Sequence, residues 1–261
     1  MGKFLSQEQL LQTAVEVGQV PRYLYKYCTL GTCLKILENR SVWFATFDQF
    51  NDPFDCAMQI SEQYTKEDWQ RYLNSLGVEF LLRNDIVEDV MANHDVALKM
   101  LKESIEGIKG QVGILCLSDR NDNLSLWAHY ADNHRGVCLE FDLLADPETF
   151  SMPKKVSYDD AFPMINYLQD PSKVMDALFH KSKDWQVEGE YRIIKFKQTG
   201  LKKIRPESLT KVILGLRCDK TNTKKIINLL DSKTYTHTQL FKTVKSDHEY
   251  KLGIAAVSRD G

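Results

Sequence analysis

The chain has 261 residues, of which 43% are hydrophobic and 27% are charged, and its 34 basic residues nearly balance 36 acidic ones. A chain of this length buries enough apolar surface for one large domain, so its core needs neither disulfides nor a structural metal. The formal net charge of −2 argues against a globally basic nucleic-acid-binding protein, although it is compatible with a local basic patch.

The cysteines and the apolar runs indicate the cellular compartment. The six cysteines include no C-x-x-C pair, which argues against a zinc ribbon, and most lie beside apolar residues, as Cys116 does. Buried free thiols of this kind are typical of a reducing compartment. The sequence has no apolar run of about 18 residues and no apolar signal segment near its start. We therefore expect a cytoplasmic protein without membrane contact.

Taken in chain order, the apolar periodicity predicts a mixture of helices and strands. The first part should contain a helix at 6–17, a strand at 23–27, a helix at 29–38, a strand at 41–46 and a turn at Asn51-Asp52-Pro53. The charged stretch 66–108 is helical in pattern and predicts a helical lobe at about 62–110. The remainder should contain strands at 112–117, 137–141, 191–196, 212–216, 240–244 and 252–257, with helices at 124–131, 171–184 and 220–230.

These elements follow one another without regular βαβ alternation. That order favours the α+β class over a doubly wound parallel sheet. The chain contains no internal repeat and no obvious flexible linker. We therefore predict one domain over residues 1–261, with the helical lobe as an insertion.

Tyr25, Lys26 and Tyr27 form the first group of residues that could carry chemistry. In a strand the two tyrosines share one face and Lys26 points to the other. A lysine that faces a sheet interior is costly unless it meets an anion. The alternative is a solvated lysine on an edge strand, beside tyrosines of the core.

The second group, Trp127, His129 and Tyr130, places three aromatic rings with polar tips in one predicted helical turn. Such rings stack on planar ligands and form hydrogen bonds with their edges. The alternative is a half-buried histidine beside aromatic residues of the core. The spacing of His129 and His134 does not match a metal-binding pair, so no metal is expected.

The third group lies in Trp185-Gln186-Val187-Glu188-Gly189-Glu190-Tyr191-Arg192. In an extended strand Glu188, Glu190 and Arg192 share one face. Two carboxylates on one face can hold sugar hydroxyls and stabilise a cationic transition state. The alternative is a polar strand face in contact with solvent.

Five motifs in this order resemble a bacterial family called domain of unknown function 2971. They are Leu24-Tyr25-Lys26-Tyr27, the run 36–44, Phe50-Asn51-Asp52-Pro53-Phe54-Asp55, Leu126-Trp127-Ala128-His129-Tyr130-Ala131 and Glu188-Gly189-Glu190-Tyr191-Arg192. The resemblance runs from about Leu24 to Leu216 and leaves out the first helix and the helical lobe. The family name implies no activity.

The stretch from Leu24 to Phe44 is also similar to the opening of DNA-targeting ADP-ribosyltransferase toxins. Lys26 stands where those toxins carry an NAD-positioning histidine. The strand with Glu190, followed by 201–206 and Val212-Ile213, looks like their catalytic-glutamate region, and Glu188-Gly189-Glu190 resembles the glutamate-x-glutamate motif of related transferases. This resemblance implies a split, mixed β-sheet core with a helical insertion.

The resemblance further implies transfer of ADP-ribose from NAD to a macromolecule. Glu190 would hold the nicotinamide ribose and stabilise the oxocarbenium-like charge, and Glu188 would orient or deprotonate the acceptor. The residues expected to bind NAD are Lys26, Tyr27, Thr29, Trp43, Phe44, His129 and Tyr130. No glycine-rich phosphate loop is present, so a Rossmann mode of binding is not expected. Because Glu190 is placed on a strand face that lines an open cleft, Glu190→Gln is expected to change stability little.

The acceptor and the partners follow from the same resemblance. It favours RNA or DNA, which a basic group after the glutamate strand could contact: Lys195, Lys197, Lys202, Lys203, Arg205, Lys211 and Arg217. A solvated lysine-rich surface is the alternative. For a toxin or anti-phage effector of this kind, the resemblance implies either a neutralising antitoxin or a phage-triggered switch. Two other functions stay open, namely a non-catalytic nucleic-acid or protein interaction module and a His129-dependent hydrolase or nuclease.

Overall fold

The computed structural model describes residues 5–259, apart from the side chain of Leu81; the remaining positions of the predicted domain 1–261 lie outside the described residues. The helices are α1 (Gln7–Glu16), α2 (Leu30–Asn39), α3 (Lys66–Ser75), α4 (Phe80–Ala92), α5 (His94–Lys109), α6 (Leu124–His129), α7 (Lys173–Ala177) and α8 (Lys220–Leu230). The strands are β1 (Tyr23–Cys28), β2 (Ser41–Phe44), β3 (Gln59–Ile60), β4 (Val112–Ser118), β5 (Val137–Asp142), β6 (Lys154–Lys155), β7 (Ser157–Asp159), β8 (Met164–Ile165), β9 (His180–Ser182), β10 (Glu190–Phe196), β11 (Gly200–Lys203), β12 (Leu209–Leu214), β13 (Gln239–Lys245) and β14 (Leu252–Ala256).

Within residues 5–259, eight of these strands form one large sheet in the order β14-β13-β12-β5-β1-β4-β10-β6. Neighbouring strands pair antiparallel except β12 and β13, which run parallel. β2 and β11 form a separate ribbon, and a bridge between Ala45 and Ile114 joins it to β4. The mixed sheet confirms the predicted α+β class and rules out a doubly wound parallel sheet.

The central strand β5 is buried along its whole length, and its two charged residues, Glu140 and Asp142, are paired with Lys211 and Arg22. Val137, Leu139 and Phe141 belong to the main core, which also includes Ile36 and Leu37 of α2. Between them, Cys138 packs with Trp127 on the opposite face. This alternation is what a strand with two covered faces requires.

The helices predicted in the stretch 66–108 are present as α3, α4 and α5. They bury an apolar cluster of their own, which later parts of the chain complete. Its helical members are Trp69, Leu73, Val87, Leu98, Leu101 and Ile105, and its later members are Ile165, Tyr167, Leu168, Val174 and Ala177. Packing of this kind, rather than helix propensity alone, stabilises short surface helices.

The predicted helix at 171–184 is wrong. Only Lys173–Ala177 is helical, and the chain then forms β9, which pairs with β7, and a 3-10 turn over Lys183–Glu188. The apolar residues Val174, Ala177 and Leu178 gave a helical spacing, but they are buried within little more than one turn. Beyond them Lys181 is buried by ion pairs, which apolar periodicity does not reveal.

All six cysteines are free, and all except the half-buried Cys116 are buried, as predicted. Among the residues that the structure describes, no helix is long and apolar enough to cross a membrane.

The close contact between β4 and the end of β10 makes Gly113 sensitive to substitution. A Cβ atom at Gly113 would lie 2.3 Å from the backbone oxygen of Gln198. We expect Gly113→Ala to lower the free energy of unfolding by about 2 kcal/mol. Gly107→Ala is the control, because it lies in α5 with no atom within 4 Å of its added Cβ. The free energy of unfolding of this control, measured in urea, should rise by up to about 1 kcal/mol. Equal stability of the two variants would contradict the close contact.

Candidate active site

Five charged side chains meet under the edge of the large sheet, and all five are buried. They are Asp55, Lys181, Glu188, Glu190 and Arg192, which we call the buried charge cluster. Asp55 comes from the loop before β3, Lys181 from β9, Glu188 from the end of the 3-10 turn, and the other two from β10. Four structural elements, which belong to two stretches of the chain, therefore build this cluster.

Arg192 has no solvent exposure, and each of its nitrogens has an acceptor. Its Nε donates to Glu190 Oε1 at 2.7 Å, its Nη2 donates to Asp55 Oδ1 at 2.7 Å, and its Nη1 donates to the Leu178 carbonyl at 2.6 Å. A buried guanidinium is tolerated only with such complete pairing. The arginine thereby fixes the positions of both carboxylates.

Lys181 occupies the middle of the cluster. Its Nζ lies 2.6 Å from Glu188 Oε2, 3.3 Å from Glu190 Oε2 and 3.5 Å from Asp55 Oδ2. Sequence reasoning missed this residue because it placed Lys181 in a helix. It also missed the role of Asp55, since a contact across more than a hundred residues has no local pattern.

The prediction that Glu188 and Glu190 share a strand face is wrong. Glu188 ends the 3-10 turn, Gly189 adopts a left-handed conformation with φ of +55°, and β10 begins at Glu190. A Cβ on Gly189 would lie 2.1 Å from Asp119 Oδ1, so this position requires glycine. Both carboxylates contact the ammonium group of Lys181 because the chain turns sharply at Gly189, and not because they alternate along one strand.

The environments of the two glutamates separate their pKa values. Burial alone would raise the pKa of Glu190, but the charges of Arg192 and Lys181 outweigh it and lower that pKa to about 2. Burial raises the pKa of Glu188, and the nearby charge of Lys181 offsets this only in part. A pair of carboxylates with diverging pKa values is typical of acid–base sites, in which one group stays charged and the other exchanges a proton.

The cluster forms one wall of a cavity of about 460 Å³, which we call the first cavity. This volume lies in the usual range of small-molecule sites. Predicted site residues in its lining are Lys26, Tyr27, Trp43, Tyr130, Glu188 and Glu190. The structure adds Tyr25, Phe50, Asn51, Asp55 and Lys181 to them.

Tyr130 connects the first cavity with the cluster. Its hydroxyl donates to Glu188 Oε1 at 2.9 Å. Burial raises the pKa of Tyr130, so the hydroxyl keeps its proton and continues to donate at neutral pH. Tyr27 has a more structural position, since its hydroxyl donates to the Arg120 carbonyl and its ring packs edge-on against Trp127.

Three of the residues predicted to bind NAD lie outside the lining of the first cavity. Thr29 caps α2, where its Oγ1 accepts from the backbone of Thr32. Phe44 is buried in the main core, because it points to the opposite side of β2 from the exposed Trp43. His129 is exposed and contacts the rings of Trp185 and Tyr130.

Of the predicted site residues Lys26, His129 and Glu190, two line the first cavity, and His129 is outside its lining. The expectation that a glutamine at position 190 leaves stability unchanged is also corrected. Glu190 is buried and paired with both cations, so its loss leaves the Arg192 charge undercompensated.

The low pKa of Glu190 predicts how stability depends on pH. The folded-state pKa of about 2 lies below the ordinary value of 4.5, so the ionised carboxylate stabilises the folded state above pH 4.5. This contribution, roughly 3 kcal/mol, is lost as the pH falls from 4.5 towards 2. We expect the free energy of unfolding of Glu190→Gln to be lower than that of the unmodified protein by about that amount at pH 7. This difference in the free energy of unfolding, the gap measured below, should disappear as the pH falls.

Urea unfolding between pH 7 and 2.5 measures this gap. Glu38→Gln serves as the control, because Glu38 is exposed on α2 and has no ion pair among the described side chains. The control should match the unmodified protein at every pH. A gap for Glu190→Gln that stays constant in acid would contradict the assignment of its low pKa.

Comparison with known proteins found a family similarity for one segment of the chain. A family model described as "Protein of unknown function (DUF2971)" matches residues 126–193. This segment contains Tyr130 and, from the cluster, Lys181, Glu188, Glu190 and Arg192. Comparisons with curated proteins and with solved structures gave no match. The family resemblance expected for Leu24 to Leu216 is thus supported over its middle part, where most of the cluster lies.

Proposed function

We propose that this protein transfers ADP-ribose from NAD to a macromolecule in the first cavity. The observation that carries the proposal is the charge balance of the buried charge cluster. Its three carboxylates face two cations, Lys181 and Arg192, which leaves one net negative charge on the cluster when all five groups are ionised. Lys26 also lines the first cavity and carries a separate positive charge outside the cluster. A fixed negative charge beside a cavity favours a cationic ligand or transition state.

The bond to be broken matches this charge. The nicotinamide ring of NAD is cationic, and as the bond from ribose C1′ to the ring nitrogen breaks, positive charge moves onto the ribose. Glu190 stays ionised over the whole neutral range because of its low pKa. Solvent screens the negative charge of Glu190 little, because the carboxylate is buried. Glu190 therefore contributes to the net negative charge of the cluster, which stabilises the developing cation on the ribose.

Glu188 suits the complementary step. The C1′–N electron pair leaves with nicotinamide, the acceptor nucleophile bonds to C1′, and the nucleophile's proton passes to Glu188. A raised pKa makes Glu188 a better proton acceptor than an ordinary carboxylate. The hydrogen bond from Tyr130 holds its Oε1 at the cavity wall.

The other walls suit a nucleotide. Trp43 and Phe50 offer aromatic surface for a planar ring. Lys26 Nζ makes one long hydrogen bond of 3.4 Å to the Cys116 carbonyl and, among the described side chains, has no carboxylate partner. Its ammonium group can therefore meet a phosphate or a ribose hydroxyl.

The position of the cavity supports an ADP-ribosyltransferase-like arrangement as part of this proposal. Trp43 and Ala45 reach the cavity from the β2 side, and Lys26, Cys116 and Glu190 reach it from the large sheet. The cavity thus lies where the ribbon meets the large sheet, and the resemblance implies NAD binding in such a split. The large sheet has eight strands in the described chain, more than the small sheets that the resemblance implies.

The alternative hydrolase has weaker support. It requires His129 to be positioned by a carboxylate, whereas the contacts of His129 in the described chain are the rings of Trp185 and Tyr130. The non-catalytic module differs from an enzyme in one measurable respect, namely whether nicotinamide is released from NAD.

The catalytic roles predict different effects for the two glutamates. Glu188→Gln should lower transfer to an acceptor about a hundredfold, roughly 3 kcal/mol, and should lower slow NAD hydrolysis less. Glu190→Gln should lower both reactions by a similar factor, because it removes the charge that stabilises the cation. Release of labelled nicotinamide and transfer of labelled ADP-ribose measure the two reactions separately, with Glu38→Gln as control. Full activity in both variants would refute the proposal.

Trp43 should contribute to NAD binding rather than to stability, because 49% of its surface is exposed. We expect Trp43→Ala to weaken NAD binding about tenfold, or roughly 1.4 kcal/mol, in titration calorimetry. Leu201→Ala is the matched control, since Leu201 pairs with Trp43 across the ribbon, is 62% exposed and does not line the first cavity. Equal loss of affinity in both variants would assign the effect to the ribbon instead of the indole ring.

A further inference from the structure

A second cavity, of about 540 Å³, borders the buried charge cluster from another direction. It shares two lining residues, Asn51 and Lys181, with the first cavity. Its other walls come from the loop at 52–57, the segment 159–163 and the segment 180–185. Of the five cluster residues, only Lys181 lines the second cavity, so the two cavities meet at Lys181 and Asn51. A transfer reaction between two substrates requires two neighbouring sites of this kind.

The second cavity has an exposed aromatic wall. Phe54 and Phe162 are 63% and 43% exposed, and their rings stack with centroids 6.3 Å apart. Pro53 and Pro163 lie beside them in the lining. Exposed apolar surface of this kind, rimmed by polar groups, is typical of protein interaction sites rather than of idle surface.

The rim of the second cavity is acidic. Its carboxylates are Asp52, Asp159, Asp160 and Asp184. Lys183 pairs with Asp160 at 2.5 Å and His180 lies 3.4 Å from Asp159, while the charge of Lys181 is already matched inside the cluster. The aspartates thus outnumber the cations that are available to them, so the rim attracts positive charge and repels phosphate.

The basic residues expected to contact nucleic acid lie elsewhere. Lys195, Lys202, Lys203 and Arg205 surround a separate hollow of about 370 Å³, which shares no lining residue with either cavity in the described chain. Phe44 lines that hollow, whereas its neighbour Trp43 lines the first cavity. The hollow lined by these basic residues, which we call the basic hollow, and the first cavity therefore lie on opposite sides of β2.

We propose that the second cavity binds the acceptor, and that the acceptor is a basic, extended segment of a protein rather than a nucleic acid. This inference rests on the proposed function. The aromatic wall would contact the apolar parts of the segment, the aspartate rim would contact its cationic side chains, and the shared boundary at Lys181 would bring its nucleophile to the first cavity. The inference replaces RNA or DNA as the expected acceptor.

The test uses the full chain with labelled NAD and three probes, namely poly-L-arginine-lysine copolymer, transfer RNA and a single-stranded DNA oligonucleotide. We expect at least tenfold more label on the polypeptide than on either nucleic acid. The double variant Phe54→Ala/Phe162→Ala should lower this transfer at least tenfold and leave NAD hydrolysis without acceptor unchanged. Lys202→Gln, in the basic hollow, is the matched control and should transfer normally.

A binding measurement without NAD makes the inference independent of turnover. A fluorescent arginine- and lysine-rich peptide should bind the unmodified protein at least tenfold more tightly than the double variant, by anisotropy. Equal peptide binding, or label on RNA or DNA in place of the polypeptide, would overturn the inference while the proposed function stands. Absence of nicotinamide release with every probe would refute the proposed function and with it the role of the segment as acceptor, and the peptide titration would then decide only whether the second cavity binds a basic segment of protein.

Discussion

Arg192 lies in β10 with its guanidinium fully buried, and the structure around it is arranged so that this charge is matched. Glu190 from its own strand, Asp55 from a loop and the Leu178 carbonyl each accept a hydrogen bond from it. Removing one partner from such a pair leaves a buried charge uncompensated, at a cost of about 3–5 kcal/mol. The loop at 51–57 and the chain after α7 must therefore approach β10 closely, and both segments contribute lining residues to the two cavities.

The same pairing has a chemical consequence. Arg192 and Lys181 hold Glu190 in its charged form, whereas burial raises the pKa of Glu188 and the charge of Lys181 offsets this only in part. Glu190 therefore keeps its charge and Glu188 accepts a proton more readily, although one residue separates them in sequence. The left-handed Gly189 makes this division possible, since it turns the chain so that both side chains reach Lys181 from different elements.

The sequence predicted the parts of this arrangement that have local patterns. The alternation of apolar residues correctly predicted β1, β5 and β10, and the helical pattern of the charged stretch correctly predicted the lobe that contains α3 to α5. The ordered motifs predicted five site residues that the structure brings to one cavity. They are Lys26, Trp43, Tyr130, Glu188 and Glu190. The resemblance suggested both Phe44 and Trp43 as aromatic residues for NAD, but adjacent residues of a strand point to opposite faces, so only Trp43 lines the first cavity.

Other features had no local pattern to read. Lys181 and Asp55 are buried by ion pairs between distant segments, and a polar residue in such a pair looks like a surface residue in the sequence. The segment 171–184 has the apolar spacing of a helix, yet tertiary contacts of Lys181 determine its conformation beyond Ala177. The second cavity arises from three loops, and loops carry little periodic information.

The central claim is that the net negative charge of the cluster recognises a cationic nicotinamide. Binding of NAD and of NADH to the unmodified protein, compared by titration calorimetry, tests it most directly, because the two molecules differ chiefly in the charge and planarity of that ring. The account predicts that NAD binds at least tenfold more tightly, about 1.4 kcal/mol, and that Glu188→Gln reduces this preference. Equal affinities, or tighter binding of NADH, would contradict it.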